Sequence, residues 1–171
     1  MQNAQQFNNI DFLEPFQNLH QKYITPHQKN ITYRLLYNIT PTSYGLFLNT
    51  NTIRHCPICN RYQETEYHLF YTCIKIQTAQ ILLQQNLISE QNNIPAHYEQ
   101  NTKKAILLNI IPTTDRKLIR RHLEILAFYR QVIWSVRLDA KFRKKKFTQN
   151  AIKTRFKYWV DKVREKERER E

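Results

Sequence analysis

Four potential metal ligands lie within one short stretch of this 171-residue chain. The three cysteines, Cys56, Cys59 and Cys73, occur there together with His68, in the pattern C-x2-C-x8-H-x4-C. Thiolate sulfur and imidazole nitrogen are donors that zinc prefers, and four of them complete its tetrahedral shell without water. The pattern therefore predicts one Zn²⁺ with a structural rather than a catalytic role. His55 is a rival ligand, but its position directly before Cys56 is geometrically poor.

The spacing of the last two ligands places a constraint on the backbone. His68 and Cys73 are five residues apart, and on a helix of 3.6 residues per turn such positions differ in direction by about 140°. Both side chains cannot reach one metal from a regular helix. We therefore expect Thr65 to cap a helix that begins near Glu66, carries His68, and breaks or tightens near Thr72-Cys73.

The composition favours helices over sheets. Glycine occurs once, at Gly45, whereas β-sandwiches and barrels normally use it at many turns. The sequence predicts a mainly α fold in which helical segments flank a small zinc knuckle and a basic pair of helices ends the chain. Helices are predicted over 12–23, 42–48 and 103–110. A further helix is opened by Pro26 and stopped at Thr40-Pro41. A long helix capped by Thr113 or Thr114 ends near Phe142, and a last helix is capped by Thr148.

The chain divides by composition into four parts. Residues 1–10 are rich in Gln and Asn and predict a disordered tail. Residues 11–88 contain helices and the knuckle, whose core spans 53–75 and whose Asn60 occupies a position that needs left-handed backbone. Residues 89–101 are polar, include Pro95 and predict a linker. Residues 102–171 form the basic helical region.

The charge lies almost wholly after the knuckle. The net charge is +13, and residues 103–171 hold 21 Lys and Arg against 8 Asp and Glu. This asymmetry predicts a polyanionic partner, RNA or DNA; an anionic membrane surface and a merely solvated face are the alternatives. Phe142 and Phe147 flank the densest run and can stack on bases or dock into the core. The candidate nucleic-acid-binding residues are Arg54, Arg61, Lys141, Arg143, Lys144, Lys145, Lys146, Lys153 and Lys157.

Several functional classes are not expected. Polymerase chemistry needs paired carboxylates for two metals, and the chain has no Asp-Asp pair. One glycine cannot build a phosphate-binding loop, and every cysteine is assigned to the metal. We therefore expect no enzymatic activity. The first residues lack a signal peptide, no apolar run is long enough to span a membrane, and metal-type cysteine spacing favours a reducing compartment, nucleus or cytoplasm, rather than secretion.

The knuckle also carries a family resemblance in residues that are not ligands. The string Cys56-Pro57-Ile58-Cys59 is followed by Glu64-Thr65-Glu66-Tyr67-His68-Leu69-Phe70-Tyr71-Thr72-Cys73. It resembles the zinc-binding domain at the C-terminal end of non-LTR (LINE-type) retrotransposon reverse transcriptases, which shows C-P-x-C and then E-T-x-x-H-L-F-x-x-C. The likeness covers about residues 30–75, including the helix around 33–37, and extends more weakly to 132–137. One departure is Asn60, where glycine is common in that family.

The resemblance implies binding of RNA or target DNA beside a polymerase, with a reverse transcriptase core as a possible partner. We therefore expect non-catalytic, zinc-dependent nucleic-acid binding by a stand-alone or truncated domain of this kind. The alternative is a zinc-stabilised protein–protein interaction module. In that alternative the last helix docks a partner through Ile152, Phe156, Val160 and Val163.

Overall fold

A computed structural model describes residues 13–42, 55–88, 98–111 and 115–169. Helices make up 73% of this part of the chain, which contains no strand. The predicted mainly α class, with helices around a knuckle and a basic helical pair at the end, is confirmed. No helix in the ranges described is both long and apolar enough to cross a membrane.

The helices of the described residues are labelled here in chain order. Six are α-helices, and a π turn and a 3-10 turn lie between the second and the third. The elements are α1 (Leu13–Leu19), α2 (Pro26–Leu36), the π turn (His68–Thr72), the 3-10 turn (Ile74–Ile76), α3 (Gln77–Ile88), α4 (Tyr98–Leu108), α5 (Arg116–Phe142) and α6 (Gln149–Arg168).

Side-chain caps fix where two of the predicted helices begin. Pro26 opens α2, as predicted, and Thr25 and Gln28 form a reciprocal capping box in which each side chain accepts from the other's backbone N–H, at 3.3 and 3.0 Å. Thr148 caps α6, as predicted, by accepting from the N–H of Ala151 at 3.1 Å. The caps satisfy N–H groups that have no partner within the helix.

The start of α5 differs from the prediction. Asp115 is the cap, and its carboxylate accepts from the N–H groups of Lys117 and Leu118 at 2.8 and 3.4 Å. A carboxylate at this position also interacts favourably with the positive end of the helix dipole, which a threonine hydroxyl does not. The predicted caps Thr113 and Thr114 lie outside the described residues. The predicted end at Phe142 is confirmed.

Helix α4 begins inside the segment that the sequence assigned to a linker. The linker was predicted to reach residue 101, but the helix starts at Tyr98. Its buried Ala105 and Ile106 anchor the helix in the core, so that the polar residues before them continue the same hydrogen-bonded turns. Asn109 ends it with left-handed backbone, φ 59°, and donates its N–H to the carbonyl of Ala105 at 3.2 Å. The predicted disordered tail lies outside the described residues, as does the predicted helix over 42–48 except for Thr42.

Helix α5 lies at the centre of the core, between α2 and α6. Its Tyr129 packs edge-on against Phe156 of α6 with ring centroids 5.4 Å apart, and its Phe128 stacks on Trp159 at 4.4 Å. One apolar cluster takes residues from α2, the knuckle, α3, α4, α5 and α6. Residues before and after the predicted linker therefore share one core.

A buried guanidinium joins three of these helices. Arg130 of α5 is 2% exposed and donates to the carbonyls of Ala105 and Ile106, at 2.6 and 2.9 Å. It also donates to Asn109 Oδ1 at 3.0 Å and to Thr32 Oγ1 of α2 at 3.3 Å. Burial lowers the pKa of Arg130 to about 9, so that it stays cationic at neutral pH beside the negative end of α4. Sequence reasoning missed this residue.

Acid should destabilise the fold through His122, which is 3% exposed and whose Nδ1 has no hydrogen-bond partner among the described residues. Burial, and then the charge of Arg121, lower the pKa of His122 to about 4. Between its ordinary pKa near 6.5 and this value the unfolded chain binds the proton first, so native stability falls as the pH falls, by about 3 kcal/mol over the whole window. His122→Leu should remove this loss. Denaturant unfolding of both proteins at pH 7 and pH 4 measures it, and a pH-independent difference would contradict the assignment.

Candidate metal centre

The four predicted ligands converge on one point. The Sγ atoms of Cys56, Cys59 and Cys73 and a ring nitrogen of His68 all lie within 4.8 Å of one another. Around a tetrahedral zinc with bonds near 2.3 Å, two sulfurs sit roughly 3.8 Å apart. The cluster is therefore of a size that can hold one metal ion. The rival ligand His55 is exposed and does not belong to the group.

The knuckle is a short hairpin-like loop, as predicted. His55 and Gln63 form an antiparallel bridge, and the N–H of Cys56 donates to the carbonyl of Tyr62 at 2.7 Å. Asn60 donates its N–H to the carbonyl of Cys56 at 2.8 Å and has a φ of 54°. The prediction that Asn60 takes left-handed backbone is confirmed, and asparagine tolerates this region better than most residues.

The electrostatics of the cluster favour a cation. The side chain of Cys73 and then burial raise the pKa of the Cys56 thiol. The backbone N–H groups of Cys59 and Ile58 oppose this rise by donating to the Cys56 sulfur. Thiolates are the form that binds metal, and a bound cation offsets the cost of burying their charge. The site is thus a buried set of sulfur and nitrogen donors in which two backbone N–H groups already point at the Cys56 sulfur.

A π turn brings the last two ligands onto the same side. Thr65 caps the helical segment that begins at Glu66 and leads into the π turn, as predicted, accepting from the N–H of His68 at 3.0 Å, and its carbonyl accepts from Leu69 at 2.9 Å. The N–H of Cys73 then donates to the carbonyl of His68 at 2.8 Å, five residues back. This wider turn rotates the fifth residue less far from the first than an α-helix does.

The break that the sequence predicted at the end of this turn is confirmed. Cys73 is extended, with φ −65° and ψ 122°, and separates the π turn from the 3-10 turn Ile74–Ile76. The turn that precedes Cys73 is widened rather than tightened. An i, i+5 ligand pair is thus accommodated by a change of helix type together with the end of the helix.

The histidine is oriented by contacts at both ring nitrogens. Nε2 of His68 lies 3.3 Å from Cys59 Sγ, and Nδ1 lies 3.3 Å from Thr72 Oγ1. A hydroxyl that accepts from Nδ1 leaves the Nε2 lone pair for the metal. Burial lowers the pKa of His68, although the Glu64 carboxylate opposes this shift, and the neutral ring is the form that coordinates. Sequence reasoning missed Thr72, whose i+4 spacing from the histidine on one helical turn was the available signal.

A buried ion pair ties the knuckle to α5. Arg137 donates through Nε to Glu64 Oε1 at 2.7 Å and through Nη2 to Oε2 at 3.3 Å. The same Nη2 donates to the carbonyl of Pro41 at 2.7 Å, and the guanidinium lies 4.7 Å from the ring of Trp134. The two charged side chains are 3% and 0% exposed. Both residues belong to segments that carry the family resemblance, but nothing in the sequence pairs them.

The predicted nucleic-acid-binding residues fall in two places. Arg61 lies on the knuckle and is exposed, whereas Arg54 lies outside the described residues. The other seven lie at the end of α5, in the loop over 143–148, here called the basic loop, and on the first turns of α6. The structure therefore brings seven of the nine onto consecutive elements.

One carboxylate organises the cations of the basic loop. Asp139 accepts from Arg143 Nη1 at 2.9 Å and lies 3.4 Å from Arg155 Nη1 and 3.9 Å from Lys145 Nζ. Three positive charges thus surround one negative charge, which leaves the group cationic. Sequence reasoning missed both Asp139 and Arg155, because the contact between them crosses from one helix to the next.

Neither a family model nor a curated protein nor a solved structure matches this chain. The resemblance to reverse transcriptase zinc-binding domains therefore depends on the quoted residues and stays a prediction.

Cys59→Ser should empty the metal centre, because it removes one of three sulfur donors from a site with four ligands. We expect bound metal, measured by mass spectrometry on the purified protein, to fall well below one ion per chain, and the melting temperature to fall with it. His55→Ser is the matched control, because His55 directly precedes Cys56 but lies outside the cluster, and this variant should keep both values. Retention of the ion by Cys59→Ser would show that the ligand set is wrong.

Arg137→Met should destabilise the protein by about 3–5 kcal/mol, because it removes the guanidinium that pairs with the buried Glu64 carboxylate. Adding Glu64→Gln removes that charge and should recover part of the loss. Arg143→Met breaks an exposed pair with Asp139 and should cost about 1 kcal/mol or less. Equal losses in denaturant unfolding for the two arginine variants would argue against the buried pair as the link to α5.

Proposed function

We propose that the chain is a non-catalytic nucleic-acid-binding protein, for RNA or DNA, whose knuckle is held by one structural Zn²⁺. The observation that carries the proposal is the placement of the basic loop beside the first turns of α6. Its lysines and arginines lie on a framework that the core and Asp139 hold in place. Each part of the proposal has its own support.

Zinc is the ion that fits the donor set best. Three sulfurs and one imidazole nitrogen, without a carboxylate, are typical of zinc and not of magnesium or calcium. Four protein ligands leave no position for a reacting water, which favours a structural role. Thiolate ligands also need a reducing environment, and we propose the nucleus or cytoplasm on that ground.

Phosphate contact is supported by cations that have no ion-pair partner among the described residues. These cations are Lys144, Lys146, Lys153 and Lys157, and the side chains of all four are exposed. Lys144 also takes left-handed backbone, φ 55°, at the end of α5, where glycine is usual. Lysine costs about 1 kcal/mol or more in this region, so the chain keeps a cation there in spite of a less favourable backbone. Such contacts give salt-sensitive affinity without reading sequence.

A membrane surface fits this arrangement less well. An interfacial helix needs a free apolar face to insert among the lipids. The apolar face of α6, formed by Ile152, Phe156, Val160 and Val163, is at most 1% exposed at each residue. The apolar face of α6 is therefore already covered by the core and is not free to enter a bilayer.

The same burial argues against the docking face that the alternative function, a protein–protein interaction module, was expected to use. A partner cannot dock on Ile152, Phe156, Val160 and Val163 because α3 and α5 already cover that face. The family resemblance, in contrast, points to the same activity as the charge. It adds a reverse transcriptase core as the proposed protein partner of a stand-alone or truncated domain.

The double variant Lys144→Glu, Lys146→Glu should weaken binding to RNA and DNA of every sequence and lower the slope of log affinity against log salt by about 2. Fluorescence anisotropy at several salt concentrations measures both. Lys22→Glu, Lys29→Glu is the control, since it changes the net charge equally on α2 and the turn before it. Equal losses in the two double variants would mean that net charge alone acts, and no loss in the first would mean that the basic loop is only solvated.

A further inference from the structure

Two large aromatic side chains are exposed beside the basic loop. Phe142, the last residue of α5, is 69% exposed, and Tyr158 of α6 is 56% exposed. A single exposed aromatic residue is common on protein surfaces and has no meaning by itself. The surroundings of these two rings distinguish them.

Both rings flank the ion pair that joins the two helices. Phe142 follows Asp139 by three residues and Tyr158 follows Arg155 by three, so each ring shares a helix face with one partner of the 3.4 Å contact. The helices run antiparallel, since Arg121 pairs with Glu167 farther from the loop. The rings therefore lie on opposite sides of the pair, separated by roughly 9 Å of helix rise. The charged ends of Arg143, Lys145 and Arg155 gather at Asp139 and therefore lie between the two rings.

The phenylalanine at the other end of the basic run, Phe147, packs against the core, whereas Phe142 does not. Phe147 is half-buried against the core, and the Arg155 guanidinium lies 4.8 Å from its ring. Phe142 stays in solvent with the Lys141 ammonium 5.7 Å from its ring. The core thus takes one of the two phenylalanines that flank the basic run and leaves the other among cations.

The ring of Tyr158 packs against a second aromatic side chain. It meets Trp159 edge-on with centroids 5.2 Å apart, and Trp159 in turn stacks on Phe128 at 4.4 Å with 8° between planes. A ring held by a packed aromatic pair loses little further freedom when a flat ligand stacks on it.

We propose that the ligand of this surface is an unpaired nucleic-acid strand, whose bases stack on Phe142 and Tyr158 while the cations between them contact its phosphates. The inference rests on the proposed function and deepens it. Stacking on exposed rings needs bases that are not already stacked and paired in a duplex, and it accepts every base because each has a π face. Selectivity is therefore for strand state and not for sequence.

The test uses the full, zinc-loaded chain with a short labelled unpaired oligonucleotide and with the duplex made from it. The wild type should bind the unpaired strand more tightly. Phe142→Leu keeps an apolar side chain but removes the ring, and should weaken binding of the unpaired strand roughly tenfold while duplex binding stays constant. Adding Tyr158→Leu should abolish the preference. Tyr37→Leu, which removes a ring that is 52% exposed at the C-terminal end of α2, should change neither affinity.

The outcomes separate this inference from the function on which it rests. The inference is overturned if the wild type binds strand and duplex with equal affinity, or if the Phe142→Leu, Tyr158→Leu variant keeps the preference for the unpaired strand. The proposed function stays in place in either case if the lysine variants still lose binding. Failure of the wild type to bind either probe overturns both. Docking of a protein on these rings is then the surviving explanation of their exposure.

Discussion

The fold depends on one geometric requirement, which is that donors from two short segments must meet within one coordination sphere. The two cysteines of the C-x2-C loop meet locally, but His68 and Cys73 diverge on a regular helix. The π turn His68–Thr72 and the extended Cys73 resolve this conflict. Their geometry also sets the direction in which the chain leaves the knuckle, through the 3-10 turn and into α3, which packs on α6.

Helix α5 transmits the position of the knuckle to the rest of the core. Tyr129 donates its hydroxyl to the carbonyl of Phe70 at 3.0 Å, inside the π turn, and Arg137 holds Glu64 at its entry. Arg130, next to Tyr129, binds the carbonyl end of α4. Buried charges are costly unless they are fully hydrogen-bonded, so these contacts specify one arrangement of the helices against the knuckle. The same helix ends at Phe142, where the basic loop begins.

The basic surface is thus an extension of the structural core and not a separate tail. The last turn of α5 supplies Asp139, which gathers cations from the loop and from α6. Packing of Phe147 and of the apolar face of α6 fixes the loop at its other end. A rigid base of this kind lowers the entropy that a charged surface loses when it binds a polyanion, which is consistent with the proposed binding of nucleic acid.

The sequence by itself determined the features that depend on local chemistry. Ligand type and spacing identified the four metal-site residues, Thr65 and Thr148 identified two helix starts, and the i, i+5 separation of His68 and Cys73 predicted a break. The sequence did not predict the start of α4, because the polar residues after Tyr98 resemble a linker unless the burial of Ala105 and Ile106 is known. Only the tertiary structure decided that Glu64 faces Arg137, that Arg130 binds the carbonyl end of α4, and that Arg155 joins Asp139. These pairs are far apart in sequence, and their interaction depends on how the helices pack, which no local pattern encodes.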